Sequence, residues 1–269
     1  MIKNILSSNN NTPTEELYSN LDLAYEHFNR KLFAGQLPVC LITMQRKANT
    51  FGYFSAMRWA QFKLITPNET VQSDTTTTTH EIALNPAYFA GRPIIEVFQT
   101  LVHEMVHLWQ FEFGTPSIKT YHNKEWADKM ESIGLMPSAT GLPGGKRTGQ
   151  NMADYPIKGG LFYNECLSLC TSGFRLNWID RAYVPAVREH VLQISSGDSE
   201  HDEAESNESN DSTSMTEALL YTTVETVIES TKPDVPSSKQ AHQCKQCGQK
   251  AWGKATLKLI CGVCKIPMT

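Results

Sequence analysis

The stretch PIIEVFQTLVHEMVHLWQFEF, Pro93 to Phe113, decides what this chain is built around. Its apolar residues, among them Ile95, Phe98, Leu101, Val102, Met105 and Leu108, wrap most of a helical cylinder. Glu96, Thr100, His103, His107 and Gln110 recur at alternating steps of four and three and form one polar stripe along it. A cylinder this apolar belongs in the middle of a domain, so the stripe is expected to line a cleft and not to face bulk water. Within it, His103-Glu104-Met105-Val106-His107 is an H-E-x-x-H pattern. Histidines four apart project from one helix face, so both imidazoles reach one zinc ion, and the neighbouring carboxylate can take a proton from a water that the ion activates.

A catalytic zinc commonly has three protein ligands and one open position. The metzincin extension of the motif would place Gly at 110 and His at 113, where this chain has Gln110 and Phe113, so that class is excluded. Two candidates remain for the third ligand, His122 and Glu125. His122 stands one turn before Trp126 at the start of a second helical stretch, Asn123 to Ile133, and packing of that apolar face turns it toward the first helix. It is the favoured ligand, with Glu125 the alternative.

Outward from this pair, the pattern is that of an α+β domain. Leu17, Leu21, Tyr25, Phe28 and Leu32 mark the buried face of an N-terminal helix that begins after Pro13 and ends near Gly35. Short runs with strand character follow at Val39 to Met44, Thr50 to Phe62 and His80 to Asn85, and predict a small, mostly antiparallel sheet. The five threonines 75–79 read as loop. TGLPGGKRTGQ, Thr140 to Gln150, is Gly-rich, but it lacks the Gly-Lys-Ser/Thr ending of a phosphate-binding loop, which argues against a nucleotide site. Residues 156–188, with Phe162, Tyr163, Phe174, Trp178 and Tyr183, finish the domain.

The net charge of -4 hides a sharp division along the chain. Residues 1–188 carry +1, residues 189–231 carry -11 with no Lys or Arg, and residues 232–269 carry +6. The middle segment has too little apolar content to offset the entropy of ordering, apart from Ala218 to Ile228, which fits a short helix or a docking segment. The basic tail holds Cys244-x2-Cys247-x13-Cys261-x2-Cys264, flanked by Lys245, Lys250, Lys254, Lys258 and Lys265. Two such pairs clamp one tetrahedral structural zinc, and so short a segment needs that staple to fold. Trp252 and the lysines fit nucleic acid, and a protein-docking knob fits equally well. Cys40, Cys166 and Cys170 sit singly among apolar neighbours, as inert core thiols do. With Cys-x-x-Cys pairs in place of a disulfide framework, a reducing cytoplasmic compartment is expected. No window approaches about 18 uninterrupted apolar residues, and MIKNILSSNNNTPTEE turns polar too soon for a secretory signal, so membrane and export readings are set aside.

YEHFNRKLFAGQLP (Tyr25 to Pro38), EIALNPAYF (Glu81 to Phe89), TLVHEMVHLWQ (Thr100 to Gln110) and YHNKEWADKM (Tyr121 to Met130) together resemble the SprT-like metalloproteases. The resemblance runs clearly over residues 15–135, weakens toward 190 and is absent from the acidic segment. It implies a zincin-like fold with a small antiparallel sheet, in which an edge strand around Ile82 to Asn85 pairs with an extended substrate peptide. It also implies that the third ligand is His122, that Glu104 is the general base, and that substrates are proteins bound or crosslinked to DNA. In the family the last motif begins His-Gly, and here Asn123 replaces the Gly. A zinc ribbon follows the protease domain in several bacterial SprT-like proteins, which places DNA among the expected partners.

The domains expected are a disordered tail at 1–12, a SprT-like metalloprotease domain at 13–190, an acidic linker at 191–240 and a zinc ribbon at 241–269. The expected cofactors are one catalytic zinc on His103, His107 and His122 and one structural zinc on Cys244, Cys247, Cys261 and Cys264. An oxyanion donor is also expected, and Tyr121, Tyr155 and Tyr163 all qualify. Two functions fit: a zinc endopeptidase, and a DNA-associated binding or regulatory protein that keeps the scaffold without hydrolysis. A pure scaffold has no chemical need for Glu104, which favours the enzyme.

Overall fold

Thr12 sets the start of the first helix, its hydroxyl accepting from the Glu15 N–H while the Glu15 carboxylate accepts from the Thr12 N–H. Helix α1, Pro13–Leu32, follows with Pro13 in its first turn. The computed structural model describes residues 12–61, 77–118, 121–182, 217–221 and 239–269. Of the tail expected at 1–12, residues 1–11 lie outside the described residues, as does most of the acidic segment, while Thr12 caps α1. The chain divides into two compact units, residues 1–227 and 228–269.

In the first unit, β1 (Leu41–Met44), β2 (Gly52–Ala60) and β3 (Thr78–Leu84) form a sheet in the order β1-β3-β2. β1 runs parallel to β3, pairing Leu41 with Glu81 and Met44 with Leu84, while β2 runs antiparallel to β3, pairing Gly52 with Leu84. Two expectations are corrected here. The sheet is mixed and not antiparallel, and residues 82–84 lie in its central strand and not at an edge. β3 is covered on both faces, so even Glu81 is buried, its carboxylate accepting from the Thr43 hydroxyl at 2.6 Å and from Gln45 Nε2 at 2.8 Å. The edge beside the long central helix is β2, whose register slips between Ser55 and Trp59 in a bulge containing Met57 at φ 49°. A third correction concerns the threonine run: Thr78 and Thr79 belong to β3.

Helix α2, Ile94–Phe113, packs on this sheet and on α1. Phe28 of α1 meets Phe98 of α2 edge-on at 5.3 Å between ring centres, and Phe98 meets Phe174 in the same way at 5.3 Å. Helix α3, Lys124–Ser132, leads into a hairpin of β4 (Leu135–Ser138) and β5 (Ala153–Pro156), and helix α4, Leu161–Thr171, closes the core with Phe162 and Cys166 fully buried. Gly134, between α3 and β4, has φ +91°, and an added Cβ there would stand 2.8 Å from the Phe162 N. Only glycine fits so close a backbone crossing. The Gly-rich stretch forms the β4–β5 connection, and Arg147 fastens it to Asp128 and Glu131 of α3. Residues 217–221 form a helical turn whose Leu220 is fully buried in this unit's core. Cys40, Cys166 and Cys170 are buried, and burial pushes the Cys40 and Cys170 thiols up to about 11.

The second unit is two copies of one knuckle. β6 (Gln240–Gln243) and β7 (Lys250–Gly253) flank Cys244 and Cys247, and β8 (Leu259–Ile260) and β9 (Pro267–Met268) flank Cys261 and Cys264. The Cys244 N–H donates to Gln249 O and the Gly248 N–H to Cys244 O; the Cys261 N–H donates to Ile266 O and the Lys265 N–H to Cys261 O. Gly248 (φ 74°) and Lys265 (φ 56°) hold the equivalent left-handed position after each pair. Among the described residues no helix is long and apolar enough to cross a membrane.

Candidate metal centre

The stripe on α2 is turned away from solvent by α3 and the β4–β5 hairpin. His103 and His107 project from one face of α2, one helical turn apart. His122 reaches the same point from a different direction. It precedes the N-cap of α3, and its backbone bridges to Gly149, donating to Gly149 O at 2.8 Å and accepting from the Gly149 N–H at 3.1 Å. Asn123, which replaces the usual Gly, caps α3 by accepting from the Trp126 N–H at 3.0 Å and also accepts from Gln110 Nε2 at 2.8 Å. The substitution therefore locks the turn and does not loosen it. Trp126, fully buried, lies beneath all three imidazoles, 4.3 Å from the His122 ring centre and 5.0 Å from that of His103.

The ligand atoms converge. His122 Nε2 lies 3.1 Å from His107 Nε2 and 3.3 Å from His103 Nε2. Ligands on one tetrahedral zinc, each about 2.0 to 2.1 Å from the ion, stand roughly 3.3 to 3.4 Å apart. The tautomers agree with that geometry. His103 Nδ1 meets an Asp154 carboxylate oxygen at 2.8 Å and His122 Nδ1 meets the Gly149 carbonyl at 3.2 Å, so each Nδ1 is the donor and each Nε2 is left to carry the lone pair. Burial, reinforced by the charge of His103, lowers His107 well below the ordinary histidine value and His122 to about 4, which keeps both in the neutral form that binds metal. At His103 burial acts in the same direction but is outweighed by the Asp154 hydrogen bond and the charges of Glu104 and Asp154, so its value is raised.

Glu104 is buried beside the cluster, and burial raises its carboxyl to about 7 against the pull of His103 and of a backbone hydrogen bond at Phe54. That bond ties Glu104 to edge strand β2. Gly52 makes the approach possible, since a Cβ there would lie 2.9 Å from the Thr100 methyl and 3.4 Å from Glu104 Cγ. Glu125, the alternative ligand, is engaged elsewhere: its carboxylate accepts from Gln110 Nε2 and from the Thr115 N–H, both at 2.7 Å. Of the three tyrosines, Tyr163 is in the core beside Glu217 and Tyr221, and Tyr155 points to the opposite face of β5 from Asp154. Tyr121, next to His122, is exposed. Sequence reasoning missed Asp154, Gly149 and Gly52. An acid in the apolar setting Met152-Ala153-Asp154-Tyr155 was the one available signal.

In the ribbon the four cysteine sulfurs lie within 4.8 Å of one another, Cys247 and Cys261 at 3.6 Å. Both groups are compatible with zinc.

The mixed α+β domain, with three convergent histidines and a glutamate buried beside them, fits a zincin-like fold. Residues 21–147 match the model of the SprT-like family. A Salmonella typhimurium protein described as an uncharacterized protein in the mucB 3' region is similar at 53% identity over 49 residues, 18% of this chain. The chain spans 66% of that relative's length. No solved structure matches the chain.

Proposed function

We propose that the chain is a zinc-dependent endopeptidase that cleaves proteins bound or crosslinked to DNA. The observation that carries this reading is the convergence of His103, His107 and His122 Nε2 beside the buried carboxyl of Glu104. Zinc held by those three nitrogens would supply a Lewis acid that polarises a water and the scissile carbonyl. Glu104 takes the proton of the attacking water as its oxygen bonds to the carbonyl carbon, and returns it to the amide nitrogen as the C–N bond breaks. Strand β2, an edge strand among the described residues and the one beside α2, is where an extended peptide would lie, with main-chain hydrogen bonds giving affinity without sequence preference.

DNA enters through the ribbon. Lys250 and Trp252 alternate onto the exposed face of β7, and Lys254 follows directly, so an exposed indole stands between two cations. That arrangement suits stacking on a base and neutralisation of its phosphates. Substrates would then be held near the metal centre by the nucleic acid they share with the ribbon.

The test is cleavage of a DNA-binding protein by the purified chain, with and without single-stranded DNA, with Glu104→Gln in parallel. DNA-dependent cleavage that falls by about 10²- to 10⁴-fold in Glu104→Gln, with zinc content unchanged, supports the reading. A wild-type chain that binds zinc and DNA yet cleaves nothing favours a DNA-associated binding protein on the same scaffold.

A further inference from the structure

The part of the chain that holds His103 in place lies beyond the family match. That match ends at residue 147, whereas the carboxylate on His103 Nδ1 belongs to Asp154, in β5. Asp154 is 5% exposed. Its Oδ2 accepts from His103 at 2.8 Å, and its Oδ1 is buried with no hydrogen-bond partner among the described residues. Its backbone is pinned as well: Gln99 Nε2, one turn before His103 on α2, donates to Asp154 O at 2.6 Å.

A carboxylate buried this deeply is costly unless positive charge compensates it. His103 offers the carboxylate one hydrogen bond, at Oδ2, and Oδ1 has no donor among the described residues. A cation on the far side of the same imidazole would supply what is missing, because the ring transmits the interaction between a metal on Nε2 and an acid on Nδ1. We infer that Asp154 is a positioning residue for the proposed zinc centre: it fixes the His103 tautomer, orients the ring and raises the basicity of Nε2 toward the ion. The inference rests on the zinc reading above and adds a residue to it from the hairpin outside the family match. Gly149 does the same for His122 from the preceding connection.

The experiment measures zinc affinity, not turnover, on the full chain by competition with a chromophoric chelator. His103→Ala marks the zinc that the ribbon alone retains, and the wild type minus His103→Ala gives the histidine centre. Asp154→Ala is expected to weaken that centre by about 10- to 100-fold, and Asp154→Asn, which keeps a neutral acceptor, by less. Thermal melting of each variant, zinc-loaded and zinc-free, separates positioning from simple packing. A positioning role lowers the midpoint more in the zinc-loaded protein than in the zinc-free one, where only the Asp154–His103 contact is lost. Asp154 variants that hold zinc as the wild type does, or that lose as much stability without zinc as with it, overturn the inference. If His103→Ala retains as much zinc as the wild type, the zinc reading falls, and the role of Asp154 with it.

Discussion

At the scale of single residues, Glu125 and His122 stand three positions apart and do different work. Both were candidates for the third nitrogen or oxygen on the ion. The structure gives the Glu125 carboxylate to Gln110 and the Thr115 N–H, and gives His122 a donor role at Nδ1 that leaves Nε2 beside the other two histidines. His122→Ala is therefore expected to lower the affinity of the histidine centre for zinc by at least tenfold, because a ligand is gone. Glu125→Ala is expected to leave zinc affinity within about twofold and to cost roughly 1 to 3 kcal/mol of folding stability, because it strands two donors. Chelator competition and urea unfolding of the two variants separate these outcomes, and a reversal of the pattern would return the ligand role to Glu125. His103, Glu104 and His107 were legible because their spacing on one helix fixes the direction of each side chain, and His122 because it stands just before the helix that carries Trp126. Asp154 was not, because its place beside His103 depends on the register of a hairpin that begins at Leu135, well after α2 ends at Phe113. No local periodicity encodes that register.

At the scale of elements, the helices and the three strands of the sheet were located by pattern, but the order of the strands was not. The heptad-like spacing of α1 and α2 records one buried stripe each, and that is enough to locate a helix. For β3, alternation in HEIALN marks a strand but carries no information about its neighbours. Its central position follows from burial of both faces, including Glu81, and from direct parallel pairing with β1 on the side opposite β2. Among the described residues β2 is the edge strand beside α2, and its approach to α2 depends on Gly52. A Cβ at that position would lie 2.9 Å from both Ala83 O and the Thr100 methyl. Gly52→Ala is expected to destabilise the fold by about 1 to 3 kcal/mol through overpacking. Adding Thr100→Ser removes one of the two clashes and should recover part of the loss, which a double-mutant cycle in urea measures. Strict additivity of the two substitutions would show that β2 accommodates the methyl by moving away from Ala83 alone.

At the scale of the whole molecule, the two units rest on different sources of stability. The first has an aromatic and aliphatic core, to which the turn at 217–221 contributes Leu220 from within the segment that composition marked as linker. The short apolar run there was visible in the sequence, but its docking site was not, since the groove is assembled from residues far away in the chain. The ribbon buries little besides Cys244, Cys261 and His242, and Trp252, Ile260 and Val263 are exposed. A unit this small without a core depends on its metal. Replacing Cys247 and Cys264 by Ser is therefore expected to unfold the ribbon, while the melting of the first unit stays unchanged. The same charge distribution sets how the ribbon should respond to salt. If Lys245, Lys250, Lys254, Lys258 and Lys265 each neutralise one phosphate of a single strand, log K falls against log salt with a slope of about -3.5. Lys250→Gln with Lys254→Gln should reduce that slope by about 1.4, whereas Trp252→Ala should weaken binding by roughly 1 to 3 kcal/mol with the slope intact. Anisotropy titrations of a labelled oligonucleotide at several salt concentrations distinguish the two effects. A slope near zero in the wild type would remove the lysines from phosphate contact and turn the ribbon toward a protein partner.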